Sequence, residues 1–400
     1  MNNKNLKIGV IHIYTFPIGM APTTRINAYC KGLLKMGAEV DIISIVPQSS
    51  PGSHPLTGKC EGGNYYHFCY PPKIKIPILR SPFWRICNYY CLYKAIQFIR
   101  NSHKKSNYDC FILSFDDPLR LNIIVRALSK LNNIKIFAIA DEYPKPIRKY
   151  LKQYVPEKKL KKYREIYKKI DGRILMTKKL QDFYDNKVCP KPTLILSTIV
   201  DTDRFINVKL SDSSKEYLCY MGNMELSKDN VDNIINAFNI IKDKYPNIDL
   251  HLYGDPNSKD KKYLISIIND LKLNNRVFIK GRITYDNVPK VLCGAKVLVA
   301  SQPNTKRAEG GFPTKMGEYF MSNVPTILTD VGEISLYVKN KENAFLVPPS
   351  NPEEYAKTLI MILDNYSEAL DVASNAKNYI LKNFGYEVAG KELISFFSKF

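Results

Sequence analysis

The chain has 400 residues, 45% hydrophobic and 24% charged, a balance that supplies two domains' worth of buried core and excludes a disordered protein. Its 59 Lys and Arg against 38 Asp and Glu give a formal charge of +21. All of that excess falls in residues 1–200, with 34 basic and 13 acidic side chains, while residues 201–400 hold 25 of each; a uniformly basic, histone-like coat is therefore excluded.

Short apolar runs alternate with longer amphipathic stretches, the pattern of a parallel α/β sheet. The run Leu6–Ile13 reads as a first buried strand; it is too short and interrupted to span a membrane, and no small-residue cleavage site follows it. Strands are expected next near residues 40–46, 65–70, 110–114, 134–140, 172–176 and 193–197, with helices around 22–36, 82–101, 118–131, 156–170 and 178–185. The polar stretch Lys209–Lys215 introduces a second series. Its strands are expected near 217–221, 248–253, 276–280, 296–300, 325–329 and 344–347, and its helices near 229–244, 259–272, 285–293, 314–322 and 351–365. The reading is an α/β protein of two doubly wound domains: residues 1–200 joined by a C-terminal helix over 385–400, and residues 201–384. Ligands of such sheets bind beyond the carboxyl ends of the strands, so two domains facing across a cleft would build a site from loops that follow strands. No apolar run reaches 18 residues, so membrane contact is expected to be peripheral. The nine cysteines include no C-x-x-C pair and read as reduced thiols of a cytoplasmic protein.

The loop after the first strand, Tyr14–Arg25, offers Gly19 for close approach to a ligand but lacks the G-x-G-x-x-G of a nicotinamide dinucleotide site. Two strand ends carry acidic pairs, Asp116-Asp117 and Asp141-Glu142; each supplies either a cleft carboxylate or a helix cap. His12 falls inside the first strand and reads as core, and no histidine has metal-ligand spacing. In the second half, Gly222–Lys228 follows a strand, and Lys228 is either a phosphate-binding point charge or a solvated lysine at a helix start. The segment Glu309–Glu318 carries most. Gly310 and Gly311 permit close approach, Pro313 suits a first helical turn, and the amides opening a helix near Thr314 make an anion site. Glu318 lies one turn in, where a carboxylate can accept from two sugar hydroxyls; the plainer alternative is a glycine-rich loop with a surface Glu.

The charge is concentrated in two stretches. Residues 145–169 hold eleven Lys or Arg and two Glu, with Lys158, Lys159 and Lys162 on the solvated side of a helix whose Leu160, Tyr163, Tyr167 and Ile170 form an apolar stripe. Residues 73–85 mix Arg80 and Arg85 with Phe83 and Trp84 and lead into Tyr89, Tyr90 and Tyr93, the composition of an interfacial contact with an anionic membrane or acceptor. A solvated basic face and nucleic-acid binding are the alternatives. No recognised nucleic-acid module accompanies the charge, so nucleic acid is not the expected partner.

Taken in order, Ile199–Phe205, Gly222–Lys228, Glu309–Glu318 and Asp330-Val-Gly-Glu333 resemble the GT-B glycosyltransferases of retaining family 4, the group 1 transferases. The resemblance implies a nucleotide-sugar donor domain in the second half and an acceptor domain in the first. It puts Glu318 on the ribose hydroxyls, Lys228 on the diphosphate, and Gly310, Gly311, Phe312, Pro313 and Thr314 around phosphate and sugar, with Gly19 approaching the phosphates from the other domain. Two departures stand out. Eight residues separate Glu309 from Glu318 where relatives often have seven, so either Glu309 or Gly310 takes the first position; and Asn223 stands where relatives carry an Arg. For a side chain near the anomeric carbon Asp141 is the first candidate and Asp116 the second. The resemblance further implies retention of configuration, a UDP-, GDP- or ADP-sugar donor, no cofactor or divalent metal, and a lipid-linked or glycan acceptor. It also implies a role in bacterial surface polysaccharide synthesis at the inner face of the cell membrane. A nucleotide-sugar epimerase or hydrolase of the same fold is the alternative.

Overall fold

The computed structural model describes residues 6–49, 52, 54–74, 76–210 and 215–400, apart from the side chains of residues 77, 79 and 80. The middle of the polar stretch 209–215 and the side chain of Arg80 thus lie outside the described residues. The chain divides into two compact units, Met1–Asp201 with Tyr386–Phe400, and Thr202–Gly385.

The first unit carries eight strands: β1 Lys7–His12, β2 Glu39–Ser44, β3 Thr57–Cys60, β4 Gly63–Tyr66, β5 Cys110–Ser114, β6 Lys135–Ala140, β7 Gly172–Leu175 and β8 Thr193–Ile195. They lie in the order β3-β4-β2-β1-β5-β6-β7-β8, parallel except for the β3–β4 hairpin. The second unit has β9 Glu216–Met221, β10 Ile248–Tyr253, β11 Val277–Gly281, β12 Val297–Val299, β13 Thr326–Thr329 and β14 Phe345–Val347. Their order is β11-β10-β9-β12-β13-β14, parallel throughout. In both sheets the central strands are covered on both faces, which is why they read as unbroken apolar runs rather than alternating ones. Strand order reverses once in each sheet, between β1 and β5 and between β9 and β12. Crossovers leave in opposite directions there, so the loops after these strands part and open a crevice.

Two helices and one strand differ most from expectation. Pro77–Lys105 begins five residues earlier than a break at Pro82 would allow, because a proline in the second turn forfeits only one early backbone bond. The strand β3 is four residues of Thr-Gly-Lys-Cys, with no apolar run to announce it. Helix Tyr366–Asn383 buries Ala369, Val372, Ala373, Ala376 and Ile380, a face too rich in alanine to stand out as a hydrophobic stripe.

Helix Tyr386–Phe397 returns to the first unit and crosses helix Ala21–Lys35 at a contact of bare backbones. A Cβ on Gly32 would lie 2.2 Å from the Tyr386 carbonyl, and one on Gly390 would lie 2.3 Å from that of Gly32. The close crossing brings Phe396 and Phe397 onto Phe137, with ring centroids 5.6 and 4.5 Å away. His12 is wholly buried, beside Phe16, and accepts from the Tyr14 amide at 3.2 Å; burial first, and then His67, holds its pKa down to about 3. It is a neutral core residue. All nine cysteines are free thiols. Among the described residues no helix is long and apolar enough to cross a membrane.

Candidate functional site

In the second unit the loops after β9 and β12 meet at the reversal of strand order. The loop after β9 leaves through Gly222, whose carbonyl would sit 1.6 Å from a Cβ on Gly254; Gly254 has φ +139°, so this backbone contact admits only glycine. Glu225 fixes the next part of the loop, accepting from Arg307 at 3.0 Å and from the Ser227 hydroxyl at 2.8 Å. Lys228 is half-buried and Asp229 is buried. Asp229 accepts from Lys315 Nζ at 2.6 Å, and the same ammonium stands 3.3 Å from Tyr220 Oη and 2.8 Å from where a Cβ on Gly222 would be. Burial lowers the pKa of Lys315, Asp229 pulls it back, and Lys228 pushes it down again. Two neighbouring cations therefore stand at the end of β9. The sequence reading singled out only Lys228; Lys315 follows Thr314 directly and passes for an ordinary helix-start lysine.

Glu318 lies in the first turn of helix Lys315–Met321, and its Oε1 accepts from Arg204 Nη1. Arg204, on the 3-10 turn Thr202–Phe205, lies 3.6 Å from the Tyr285 ring centroid and donates through Nη2 to the Tyr285 carbonyl at 2.8 Å. Glu309 and Gly310 end the short helix Lys306–Gly310, which Thr305 caps. The Glu309 carboxylate is paired with Lys306 at 2.5 Å, and Gly310 is buried. The Gly311 amide donates to the Arg307 carbonyl at 3.1 Å, as the close of that helical turn requires. Phe312 is buried, edge-on to Tyr337 at 5.1 Å, Pro313 is buried, and Thr314 opens the next helix without a side-chain cap. Asn223 is exposed, its Oδ1 3.4 Å from the Glu225 amide.

In the first unit, the ends of β1, β5 and β6 gather Tyr14, Asp116, Asp141, Glu142 and Arg148. Arg148 lies 3.1 Å from Asp116 and 3.7 Å from Glu142; burial works against its charge, and the two carboxylates more than offset that and raise its pKa. Asp141 stands 3.4 Å from Arg25, a buried guanidinium that donates to the Leu196 and Ser197 carbonyls at 2.7 and 3.3 Å. The Tyr14 hydroxyl is pushed up by burial and then by Asp141 and Asp116. Both acidic candidates thus come together, each against an arginine that no motif flagged. Asp117 is the cap of helix Pro118–Leu128, accepting from the Arg120 amide at 2.9 Å. Gly19 lies near the end of the tight loop after β1. A Cβ there would lie 2.3 Å from Thr23 Oγ1 and 2.6 Å from the Thr15 carbonyl, so its own loop demands the glycine.

Lys158, Lys159 and Lys162 are exposed on helix Glu157–Tyr167, which buries Leu160, Tyr163, Ile166 and Tyr167. On helix Pro77–Lys105 Arg85 is exposed together with Ile78, Phe83, Trp84, Ile86, Tyr89, Tyr90 and Tyr93. Among the described residues no group of three His, Cys, Asp or Glu is arranged to hold a metal ion.

Comparison with known proteins agrees with this geometry. Residues 201–379 match the family Glycosyl transferases group 1. The chain is 22% identical over 242 residues to MJ1069 of Methanocaldococcus jannaschii, called an uncharacterized glycosyltransferase, covering 58% of this chain and 60% of that one. It is 24% identical over 169 residues to the poly(ribitol-phosphate) alpha-N-acetylglucosaminyltransferase of Staphylococcus aureus, covering 42% and 32%. The chain therefore spans less than two thirds of the length of either relative. Anabaena Alr3699/HepE, solved in complex with UDP-glucose, is similar with a TM-score of 0.71 and 15% identity over 99% of this chain and 100% of that one. The fold, with a parallel Rossmann-like sheet in each unit, is that of the GT-B glycosyltransferases. Residues 201–379, with the loops Gly222–Lys228 and Glu309–Glu318, are thus similar to the group 1 glycosyl transferases.

Proposed function

We propose that the protein is a retaining glycosyltransferase that moves a sugar from a nucleoside-diphosphate sugar to a lipid-linked or glycan acceptor in the synthesis of a surface polysaccharide. The observation that carries this reading is the pair of cations Lys228 and Lys315 at the reversal of strand order in the second unit, with Glu318 in the first turn of the helix that Lys315 opens. Two cations suit a diphosphate, and a carboxylate one turn into the adjacent helix suits the two hydroxyls of a ribose. As the bond from the anomeric carbon to the diphosphate breaks, negative charge grows on the leaving group. In this reading Lys228 and Lys315, with the amides that open the helix at Thr314, stabilise it. On the same reading the acceptor hydroxyl attacks from the face the diphosphate leaves, which retains the configuration, and its proton departs with the phosphate. In this reading the charge is neutralised by side chains, with no divalent metal.

The acceptor is assigned to the first unit, where Asp141 and Asp116 are the candidate carboxylates. The charge excess of that half suits an anionic acceptor, as does the poly(ribitol-phosphate) in the name of the Staphylococcus aureus relative. Residues 62–108 contain eight Lys or Arg and no Asp or Glu, and Trp84, Phe83 and four tyrosines (Tyr70, Tyr89, Tyr90 and Tyr93) lie exposed among them. At about 1 kcal/mol per basic residue near an anionic leaflet, this face supports reversible attachment to the membrane that would carry a lipid-linked acceptor.

The experiment is turnover of UDP-, GDP- and ADP-sugars with and without anionic glycan and lipid-linked acceptors, in EDTA, with the product's anomeric configuration read by NMR. Acceptor-dependent release of nucleoside diphosphate with retention is expected. Release of free sugar or an epimer without any acceptor would replace the transferase reading by that of a hydrolase or epimerase.

A further inference from the structure

We infer that Arg204 is the positioning residue for the carboxylate that reads the donor's ribose, and that it makes an acidic ribose contact workable beside an anionic diphosphate. The inference rests on the reading of Glu318 given above.

A glutamate in the first turn of a seven-residue helix has three free torsions and, at 26% exposure, room to use them. Arg204 removes that freedom. Its side chain is 10% exposed and its guanidinium is held in three ways: Nη1 donates to Glu318 Oε1, Nη2 donates to the Tyr285 carbonyl at 2.8 Å, and the planar group lies over the Tyr285 ring at 3.6 Å. The fork is fixed by the turns Thr202–Phe205 and Tyr285–Asn287 before it reaches the helix that bears Glu318. A lysine could supply the charge but neither the fork nor the flat stacking face.

An ionised carboxylate has about four acceptor positions. Arg204 occupies one on Oε1, leaving the second position of Oε1 and both of Oε2, which matches two neighbouring hydroxyls presented together. The charge matters as much as the geometry. A bare carboxylate near a diphosphate is a like-charge contact, and paired with Arg204 it brings no net charge into a site whose cations, Lys228 and Lys315, serve the phosphates. The class of ligand that follows is a nucleotide with an intact 2′,3′-diol. Discrimination against the deoxynucleotide is set by Arg204, through Glu318.

The test is calorimetric titration of the full chain with UDP, GDP and ADP and their 2′-deoxy counterparts, on wild type, Arg204→Gln and Tyr285→Ala. Wild type is expected to bind one ribonucleotide roughly tenfold or more tightly than its deoxy form, the worth of one charge-assisted hydrogen bond. Arg204→Gln is expected to bring that ratio close to one. Tyr285→Ala, which keeps the charge and the backbone acceptor but removes the stacking ring, is expected to give an intermediate ratio and covers the case in which Arg204→Gln does not fold. A ratio unchanged in both folded variants would overturn the role of Arg204 and leave the donor site standing. Failure of wild type to bind any of the three diphosphates would overturn the donor-site reading itself. A merely structural ion pair would alter the melting temperature without moving the ratio.

Discussion

Changing Lys315 to methionine is expected to lower the melting temperature of the second unit by about 10 °C and to weaken nucleoside-diphosphate binding at least tenfold. The stability loss comes from Asp229, which is 2% exposed and bonded to Lys315 at 2.6 Å. Removing one partner of a buried pair strands the other, at a cost of about 3–5 kcal/mol, and each kcal/mol moves the melting point of a domain this size by roughly 2–4 °C. The binding loss has a different origin, the missing cation beside Gly222. The double variant Lys315→Met/Asp229→Asn separates the two, because it removes the stranded charge without restoring a cation. Scanning calorimetry is expected to show most of the stability regained, and titration to show binding still weak. Binding restored in the double variant would make the pair purely structural and leave Lys228 as the sole cation on the diphosphate.

A larger structural effect is expected for Gly390→Val. The nearest atoms to a Cβ at this position are Gly32 O at 2.3 Å, C at 2.5 Å and Cα at 2.9 Å, all backbone and unable to rotate away. The valine side chain would drive helix Tyr386–Phe397 off helix Ala21–Lys35. With it go the buried side chains of Tyr386, Leu393, Phe396 and Phe397, each worth about 1.5–3 kcal/mol when fully buried. Cleavage after residue 385 under limited proteolysis, with a melting temperature at least 10 °C lower, is the expected result. A variant that resists protease and melts within 2 °C of wild type would mean that the two helices can separate at little cost.

The fold was legible because both sheets are buried on both faces, so β1, β5, β6, β9 and β10 each announce themselves as apolar runs bounded by polar loops. What was not legible lacked that contrast: the four residues of β3, the alanine face of Tyr366–Asn383, and the start of the helix that runs through Pro82. In the site, the glycines and Lys228 could be picked out because each lies in a connection that follows a strand. Arg204 could not be, since its partner Glu318 is 114 residues away and the two meet only when the sheet order brings them together. Arg25 and Arg148 are hidden for another reason: in a half with 34 basic residues, nothing local marks the two that turn inward to Asp141 and Asp116. Gly19 and Gly311 each have a role in their own loop, whether or not a ligand also approaches them. Motif spacing cannot tell a glycine that makes room for a ligand from one whose own loop leaves no room, or whose amide is already bonded.

The central claim is that the second unit binds a nucleoside-diphosphate sugar through Glu318 and its neighbouring cations. The most direct measurement is a thermal-shift titration of wild type and Glu318→Ala with UDP-, GDP- and ADP-sugars. One of these, at about a hundred times its dissociation constant, is expected to raise the wild-type melting temperature by about 5 °C or more, and to leave that of Glu318→Ala unmoved. Stabilisation of neither protein by any of the three, or equal stabilisation of both, would contradict the account.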